Sequence, residues 1–492
     1  MPQPWPVASA SLLRGDQHPL HRRPRCEEED LGMPIPDSAH AVSVCLPTWA
    51  DVVGYEEKDG RILAKMQTGY PRFFLHPLIN QVRARLPAKA GQEVLPFASA
   101  VAARQCAAMT GGQAQQVEGL WAAYFPTEVL AVARAYWQHT GRILSSRAAE
   151  DWLTSGRLQP KDDALDQVMR ERLAGWSGAP ASRISLHPSG MAAIFSAFEA
   201  VTLRRQGRRN VMFGFPYTDT LKILEKFGVG VEFLPQGDQS DLERLKRLLQ
   251  TESIAGIFCE FPSNPLLQVP HLPHLHALAA AHGVPVIVDD TIGTFHNVNI
   301  LPHADLIATS LTKAISGEGD VMAGSLVINP SGLLADQPTP GRDSGLYAAD
   351  LKVLERNSRD FPTRMLQANA NAERLARFLA DHPTIEEVFY PGLDPSTVYQ
   401  DLQKPGGGFG AVLSFLPHQG ATSTPHIFER LNLSRGISLG THYSLVCPYV
   451  QLAHYHELDW ARSCGIDPFL LRISVGSEPW PTLKERFTRA LS

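Results

Sequence analysis

The sequence predicts an α/β fold with a large, mostly parallel sheet domain and a smaller C-terminal α/β domain. Three observations carry this. Between about 181 and 329, short β-branched runs at 211–215, 256–260, 284–289, 305–310 and 324–328 alternate with helical stretches. The runs are apolar throughout, as strands covered on both faces must be. After about 331 the pattern changes: Met365, Ala368, Ala372, Leu375 and Leu379 recur at helical spacing until His382 and Pro383, and a glycine-rich turn at 406–410 then precedes strand-like runs at 411–415 and 470–475.

Four segments follow from this reading. Residues 1–40 are rich in Pro, Arg, Glu and Ser, lack apolar periodicity and are expected to be a mobile tail. Residues 41–180 are globular, with an aromatic cluster at 70–74 and a helical run at 127–140. Residues 181–335 form the large domain and 336–492 the small one. At 492 residues the chain can bury a large core. Its 45 basic and 50 acidic side chains leave no net field that would draw it to nucleic acid or an anionic membrane. Small-molecule substrates are therefore expected. Cys26, Cys45, Cys106, Cys259, Cys447 and Cys464 are scattered singly, which fits a reducing compartment. With no membrane-length apolar run and no secretory core, a cytoplasmic protein is expected. The acidic run Glu27, Glu28, Glu29 and Asp30 argues against an import signal in the arginines before it. No zinc-type histidine spacing occurs, so no metal is expected.

In such a sheet, ligands gather at the carboxyl ends of the strands. Lys313 stands there with Ser310 and Thr312, just after the run 304–309. Partial burial would favour a neutral, nucleophilic amine, suited to a Schiff base, while the two hydroxyls could bind phosphate. On this segment alone, an exposed loop lysine explains the pattern equally well. Asp289 ends the preceding strand and could face a pyridinium. An opposite charge at ~4 Å contributes about 4 kcal/mol at an effective dielectric of 20. By itself a strand-end Asp is more often a helix cap. Ser189, Gly190 and Met191 open a helix whose first N–H groups could hold an anion. Tyr217, just beyond another strand, could cover a ring face or move a proton, or could simply pack in the core.

Together, the motifs Ser189-Gly190-Met191-Ala192-Ala193, Tyr217 with Thr220, Pro262-Ser263-Asn264-Pro265-Leu266, Val288-Asp289, Ser310-Leu311-Thr312-Lys313, Tyr390-Pro391-Gly392-Leu393, Ser438-Leu439-Gly440 and Arg472-Ile473-Ser474-Val475-Gly476 stand in a recognisable order. Over about 181 to the C-terminus, the chain resembles the Cys/Met-metabolism enzymes that use pyridoxal 5'-phosphate (PLP). Leu46-Pro47-Thr48-Trp49, Gly54-Tyr55-Glu56-Glu57, the run 68–74, Phe213-Gly214-Phe215-Pro216-Tyr217 and Cys447-Pro448-Tyr449 resemble the fungal type of cystathionine γ-synthase.

The resemblance implies the PLP-dependent transferase fold, aspartate aminotransferase-like fold type I, in a homotetramer built from two active dimers. It implies Lys313 as Schiff-base former and proton shuttle, Asp289 against the pyridinium, and Tyr217 stacked on the ring. Gly190, Met191, Ser310 and Thr312 would bind phosphate, Asn264 would lie near the ring hydroxyl, and Arg472, supported by Ser438, would grip the substrate α-carboxylate. Such enzymes usually receive a Tyr-x-Arg pair from a neighbouring subunit to complete the phosphate site. Tyr70 and Arg72 have that spacing, although an aromatic packing cluster accounts for them as well, and segment 41–180 would then carry oligomer contacts. The implied reaction is γ-replacement in methionine biosynthesis by trans-sulfuration: O-acyl-L-homoserine, with O-acetyl as the expected form, and L-cysteine give L-cystathionine. Tyr443 departs from the pattern, standing where many relatives carry a glutamate that influences reaction and substrate choice. The alternatives are another nucleophile, such as sulfide or carbon, simple γ-elimination, or a silent binding paralogue.

Overall fold

The structure is a computed structural model that describes residues 18–341 and 345–492. Its central sheet has seven strands in the order Ile184–His187, Gly324–Ile328, Leu306–Ser310, Val286–Asp289, Ile257–Glu260, Asn210–Phe213 and Val231–Leu234. Gly324–Ile328 runs against both neighbours, and the other adjacent pairs are parallel. Every residue of Ile184–His187, Asn210–Phe213, Ile257–Glu260 and Gly324–Ile328 is buried, which is why these runs lack the alternation of a half-exposed strand. Parallel neighbours require crossovers, and the helices Thr218–Phe227, Gln239–Thr251 and Leu272–Ala281 supply three of them, the short helix Thr294–Asn297 lying on the fourth. The register sets Asp289 beside Glu260 on one side and Ala308 on the other, so the carboxyl ends of three strands meet.

The smaller sheet runs Ile385–Phe389, Val412–Pro417, Leu471–Ser474, Leu445–Cys447 and Ser434–Arg435, with the long helix Phe361–Ala380 against its first strands. That helix buries Met365, Ala368, Ala372, Leu375 and Leu379, the residues whose spacing predicts it. A third sheet, Gln92–Phe97, Leu120–Pro126 and Gln113–Val117, is antiparallel throughout and lies within the 41–180 segment. With the helices Pro77–Arg85, Ala100–Thr110 and Leu130–Thr140 it builds a separate apolar core that includes Tyr70, Phe97, Tyr136 and Trp137.

The expected mobile tail over 1–40 needs correction where it overlaps the described residues; 1–17 lie outside them. Residues 18–40 are folded onto the small domain. Pro34–Ile35 pairs with Ser43–Val44, and Leu20 and Ile35 pack with Cys45, Tyr443 and Leu445. Buried Arg435 donates to the carbonyls of Cys26 and Pro47, and Arg486 donates to that of His21. Beside that packing, the carbonyls of His21 and Cys26 satisfy buried guanidinium groups, an interaction that leaves no apolar period in the sequence. Among the described residues, no helix is long and apolar enough to cross a membrane.

Candidate active site

A cavity of about 630 Å³ opens at the carboxyl ends of the central strands and reaches the small sheet. Lys313 lies in it, on the turn after Leu306–Ser310. Its Nζ donates to Ser438 Oγ at 3.0 Å and stands 4.6 Å from the centre of the Tyr70 ring. Burial pushes the Lys313 amine below the ordinary lysine range, against the pull of Tyr70 and with help from Arg472. Lys313 is thus an enclosed amine, which removes the exposed-loop reading.

Asp289 ends its strand in the same cavity, with one oxygen accepting the Thr291 N–H at 2.9 Å. Burial pushes its carboxyl above the usual range, and among the described residues no cation pairs with it. Glu260, in register on the next strand, is raised well above its ordinary value by burial and then by Asp289; it accepts the Tyr217 N–H at 2.6 Å. Two carboxyls thus share one low-dielectric wall, and among the described residues neither pairs with a cation.

Opposite them, Gly190 and Met191 begin the helix Gly190–Thr202, where backbone N–H groups have no partner within the helix. A Cβ on Gly190 would lie 2.6 Å from the Ser310 Cβ, so only glycine lets this helix approach the strand end so closely. Arg72 enters from the other side. Its guanidinium donates to Tyr217 Oη at 2.5 Å, to the Gln138 carbonyl at 2.7 Å and to the Asp219 carboxylate. Asp219 also bonds His139 Nδ1 at 2.8 Å and Gln138 Nε2 at 3.1 Å. Although burial opposes its charge, Arg72 and then His139 hold the Asp219 carboxyl down at about 2. The Tyr70 phenol, which burial alone would raise, is brought below the ordinary tyrosine range by Lys313 and Arg72.

On the small-domain side, Arg472 comes from Leu471–Ser474. It donates to Asn264 Oδ1 at 3.0 Å and to the Ser438 carbonyl at 3.3 Å, and it lies over the Tyr449 ring at 4.6 Å. These contacts fix the plane of a buried guanidinium that faces the cavity.

Of the residues expected from sequence, Lys313, Asp289, Tyr217, Gly190, Met191, Ser310, Tyr70, Arg72, Asn264 and Arg472 line this one cavity, and Ser438 holds Lys313 from behind. Thr312 is the exception. Its hydroxyl donates to the Ala323 carbonyl at 3.2 Å and accepts the Ala323 N–H at 2.9 Å, so it closes the turn and does not line the cavity. Asn264, expected near a ring hydroxyl, spends its carbonyl oxygen on Arg472. Asp219, Gln138, His139 and Glu260 escaped the sequence reading. Glu260 alone had a signal, as a carboxylate ending a strand that neighbours Asp289.

The cofactor implied by resemblance fits these residues. A ring nitrogen that carries a proton would supply the cation that the buried Asp289 lacks. A phosphate would meet the free N–H groups of Gly190 and Met191, the Ser310 hydroxyl, and Arg72.

Comparison with known proteins agrees. The family described as "Cys/Met metabolism PLP-dependent enzyme" matches residues 129–492. A cystathionine γ-synthase of Neurospora crassa is 33% identical over 94% of this chain and 98% of that protein. An L-2-amino-4-chloropent-4-enoate dechlorinase/desaturase of Streptantibioticus cattleyicolor is also 33% identical, over 93% of this chain and 97% of that protein. Among solved structures, one titled a cystathionine γ-lyase from Micromonospora echinospora superposes with a TM-score of 0.60 at 26% identity, covering 71% of this chain and 89% of that one.

Proposed function

This chain belongs to the Cys/Met-metabolism PLP-dependent enzyme family, and from that premise we propose that it catalyses γ-replacement, converting O-acetyl-L-homoserine and L-cysteine into L-cystathionine and acetate. Its fold is fold type I, and its cofactor is pyridoxal phosphate, which supplies the electron sink for carbanion chemistry when bound. The observation that carries the reading is the pairing of two groups across one cavity: a fixed arginine fork, Arg472, and an enclosed amine, Lys313.

Arg472 would take the substrate α-carboxylate in a bidentate grip that lysine could not reproduce. With that end fixed, Cα would be presented to the Lys313 amine across the same cavity. Lys313, kept toward its neutral form by burial, would remove the Cα proton, pass it on and take one from Cβ as the γ-acyloxy group departs as acetate; the cysteine thiol then bonds Cγ and gives up its proton, and Lys313 returns protons to Cβ and Cα. Ser438 orients the amine between transfers. Asp289 would hold a positive charge on the ring nitrogen, and Tyr217, fixed by Arg72 and Glu260, would cover the ring face. Arg72, Gly190, Met191 and Ser310 bind the phosphate.

Tyr443 gives the second reading its support. It is fully buried, with its hydroxyl on the Glu318 carbonyl at 3.3 Å, and it brings no carboxylate to the substrate. A different nucleophile, or elimination without one, fits that change. Incubating the holoenzyme with O-acetyl-L-homoserine and L-cysteine should yield cystathionine and acetate in equal amounts. Formation of 2-oxobutanoate with no thioether would reject the replacement reading in favour of elimination.

A further inference from the structure

We propose that Glu56 and Lys58 seat the second substrate, Glu56 taking the ammonium and Lys58 the carboxylate of a thiol-bearing α-amino acid. The inference rests on the γ-replacement reading and deepens it by assigning the nucleophile its chemical class.

The case begins with which charges along the cavity already have an answer. Among the described residues five carboxyls line it. Asp219 is bound by Arg72 and His139, and Glu457 by His454 Nδ1 at 2.9 Å and by Lys222 at 3.5 Å. Glu260 accepts the Tyr217 N–H, and Asp289 belongs to the cofactor ring. Glu56 alone makes no hydrogen bond or ion pair through its carboxyl among the described residues. Of the lysines and arginines there, Arg72 and Lys222 answer carboxylates, while Lys313 and Arg472 serve the first substrate. Lys58 and Lys226 form no ion pair among the described residues, and of the two it is Lys58 whose field reaches Glu56.

Neither member of this pair is placed for the good of the fold. Glu56 closes the helix Trp49–Glu56, where the carbonyl end of the helix dipole disfavours a negative charge. Burial pushes its carboxyl above the usual range, and Lys58, then His456, pull against that shift. Lys58 is exposed and holds a left-handed backbone, φ 62°, that suits glycine better than lysine. Its amine rests 3.4 Å from the Tyr55 carbonyl and 5.0 Å from the centre of the Tyr55 ring, without an ion pair to Glu56. Two opposite charges therefore stand near enough to influence each other and remain unjoined. A zwitterion bears its ammonium and carboxylate on one carbon and would answer both. Sulfide bears neither.

The pair also shares a wall with the first substrate's carboxylate site. The helix Trp49–Glu56 packs on Tyr449–Ala453, whose first residue supplies the ring under Arg472. Next to Glu56, Glu57 accepts the Tyr455 hydroxyl at 2.6 Å, which ties the end of the helix to the same side. Lys58 and His456 are exposed, so this is the outer end of the cavity that holds Lys313. An amino acid held there by its charged head would direct its side-chain thiol inward.

Three thiols separate the two charges. L-Cysteine carries both groups, cysteamine only the ammonium, and 3-mercaptopropionate only the carboxylate. The full-length holoenzyme, Glu56→Gln and Lys58→Met are assayed for thioether at saturating O-acetyl-L-homoserine, with rates taken per lysine-bound PLP. The constant read is KM, or the inhibition constant of a thiol that does not react. Glu56→Gln should raise it about tenfold for cysteine and cysteamine and leave 3-mercaptopropionate within about twofold. Lys58→Met, at an exposed position, should raise it about threefold for cysteine and 3-mercaptopropionate but not for cysteamine. Constants for all three thiols that move together, as a structural defect would make them, or that do not move, overturn the seat while the thioether product upholds γ-replacement. A wild type that releases 2-oxobutanoate and forms no thioether from any thiol overturns the γ-replacement reading, and this inference with it.

Discussion

At the scale of single residues, Asp290 shows the cost of building a carboxylate-rich wall. It is fully buried beside Asp289, bonded to the Thr309 hydroxyl through one oxygen, and its second oxygen has no partner among the described residues. Burial, and to a lesser degree Asp289, push its carboxyl up to about 8. In the unfolded chain an Asp ionises near pH ~4. Below that value both states hold the proton and Asp290 leaves stability unchanged. Between ~4 and about 8 the unfolded state releases the proton while the folded state keeps it, so stability falls as pH rises, by at most ~1.4 kcal/mol per pH unit. Asp290→Asn preserves shape and removes the titration. Its melting temperature should exceed that of the wild type at pH 7.5 and converge with it near pH 4; a gap that stays constant across that range would show that Asp290 is not the titrating group.

At the scale of elements, the site is an encounter of strand ends with one helix start, and its tightest approach is at Gly190. A methyl there must push against Ser310 Cβ at 2.6 Å, so the helix Gly190–Thr202 has to retreat or the turn leading to Lys313 has to open. Gly190→Ala should therefore lower stability by ~1–3 kcal/mol and weaken PLP binding about tenfold or more, with far-UV circular dichroism unchanged. Equal PLP affinity in the two proteins would sink the assignment of this helix start to the phosphate. The same elements explain what the sequence disclosed. The runs ending at Asp289 and Ser310 are legible because a strand buried on both faces must be apolar throughout, and their ends mark the ligand site. The strand Gln113–Val117 was missed because it is polar and mostly exposed, with only Leu120–Pro126 beside it, and Gln92–Phe97 was missed because Pro96 breaks its pattern. Asp219, Gln138 and His139 left no trace either. Their roles depend on Gln138 and Asp219 meeting Arg72 from 66 or more residues away and on His139 meeting Asp219 from 80, separations that no local period encodes.

At the scale of the whole molecule, the first described segment works as a strap across the small domain and the loop that carries Lys313. It covers the Ser434–Arg435 end of the small sheet, where Arg435 loses water and gains the carbonyls of Cys26 and Pro47. It then reaches the turn after Lys313, where the Val42 N–H donates to the Gly319 carbonyl at 2.9 Å. Removing the strap would take away Val44 and Leu46, both packed in the small-domain core, together with Ile35, and would expose the apolar surface they cover. Side chains of this size contribute about 1.5–3 kcal/mol each when fully buried. It would also strip Arg435 of the Cys26 and Pro47 carbonyls and return part of its guanidinium to water. The sum rivals the ~5–15 kcal/mol that holds a typical domain together. A chain that starts at Thr48 should thus lose the small domain's cooperative melting, and weaker PLP binding should follow, because the Gly317–Asp320 turn is released together with the strap. Arg435→Lys in the full-length chain is the graded version. It keeps the charge but not the fork, so its melting temperature should fall while the absorbance of lysine-bound PLP is retained. A truncated chain that melts and binds PLP like the full-length protein would show that residues 18–47 rest on the surface without stabilising it.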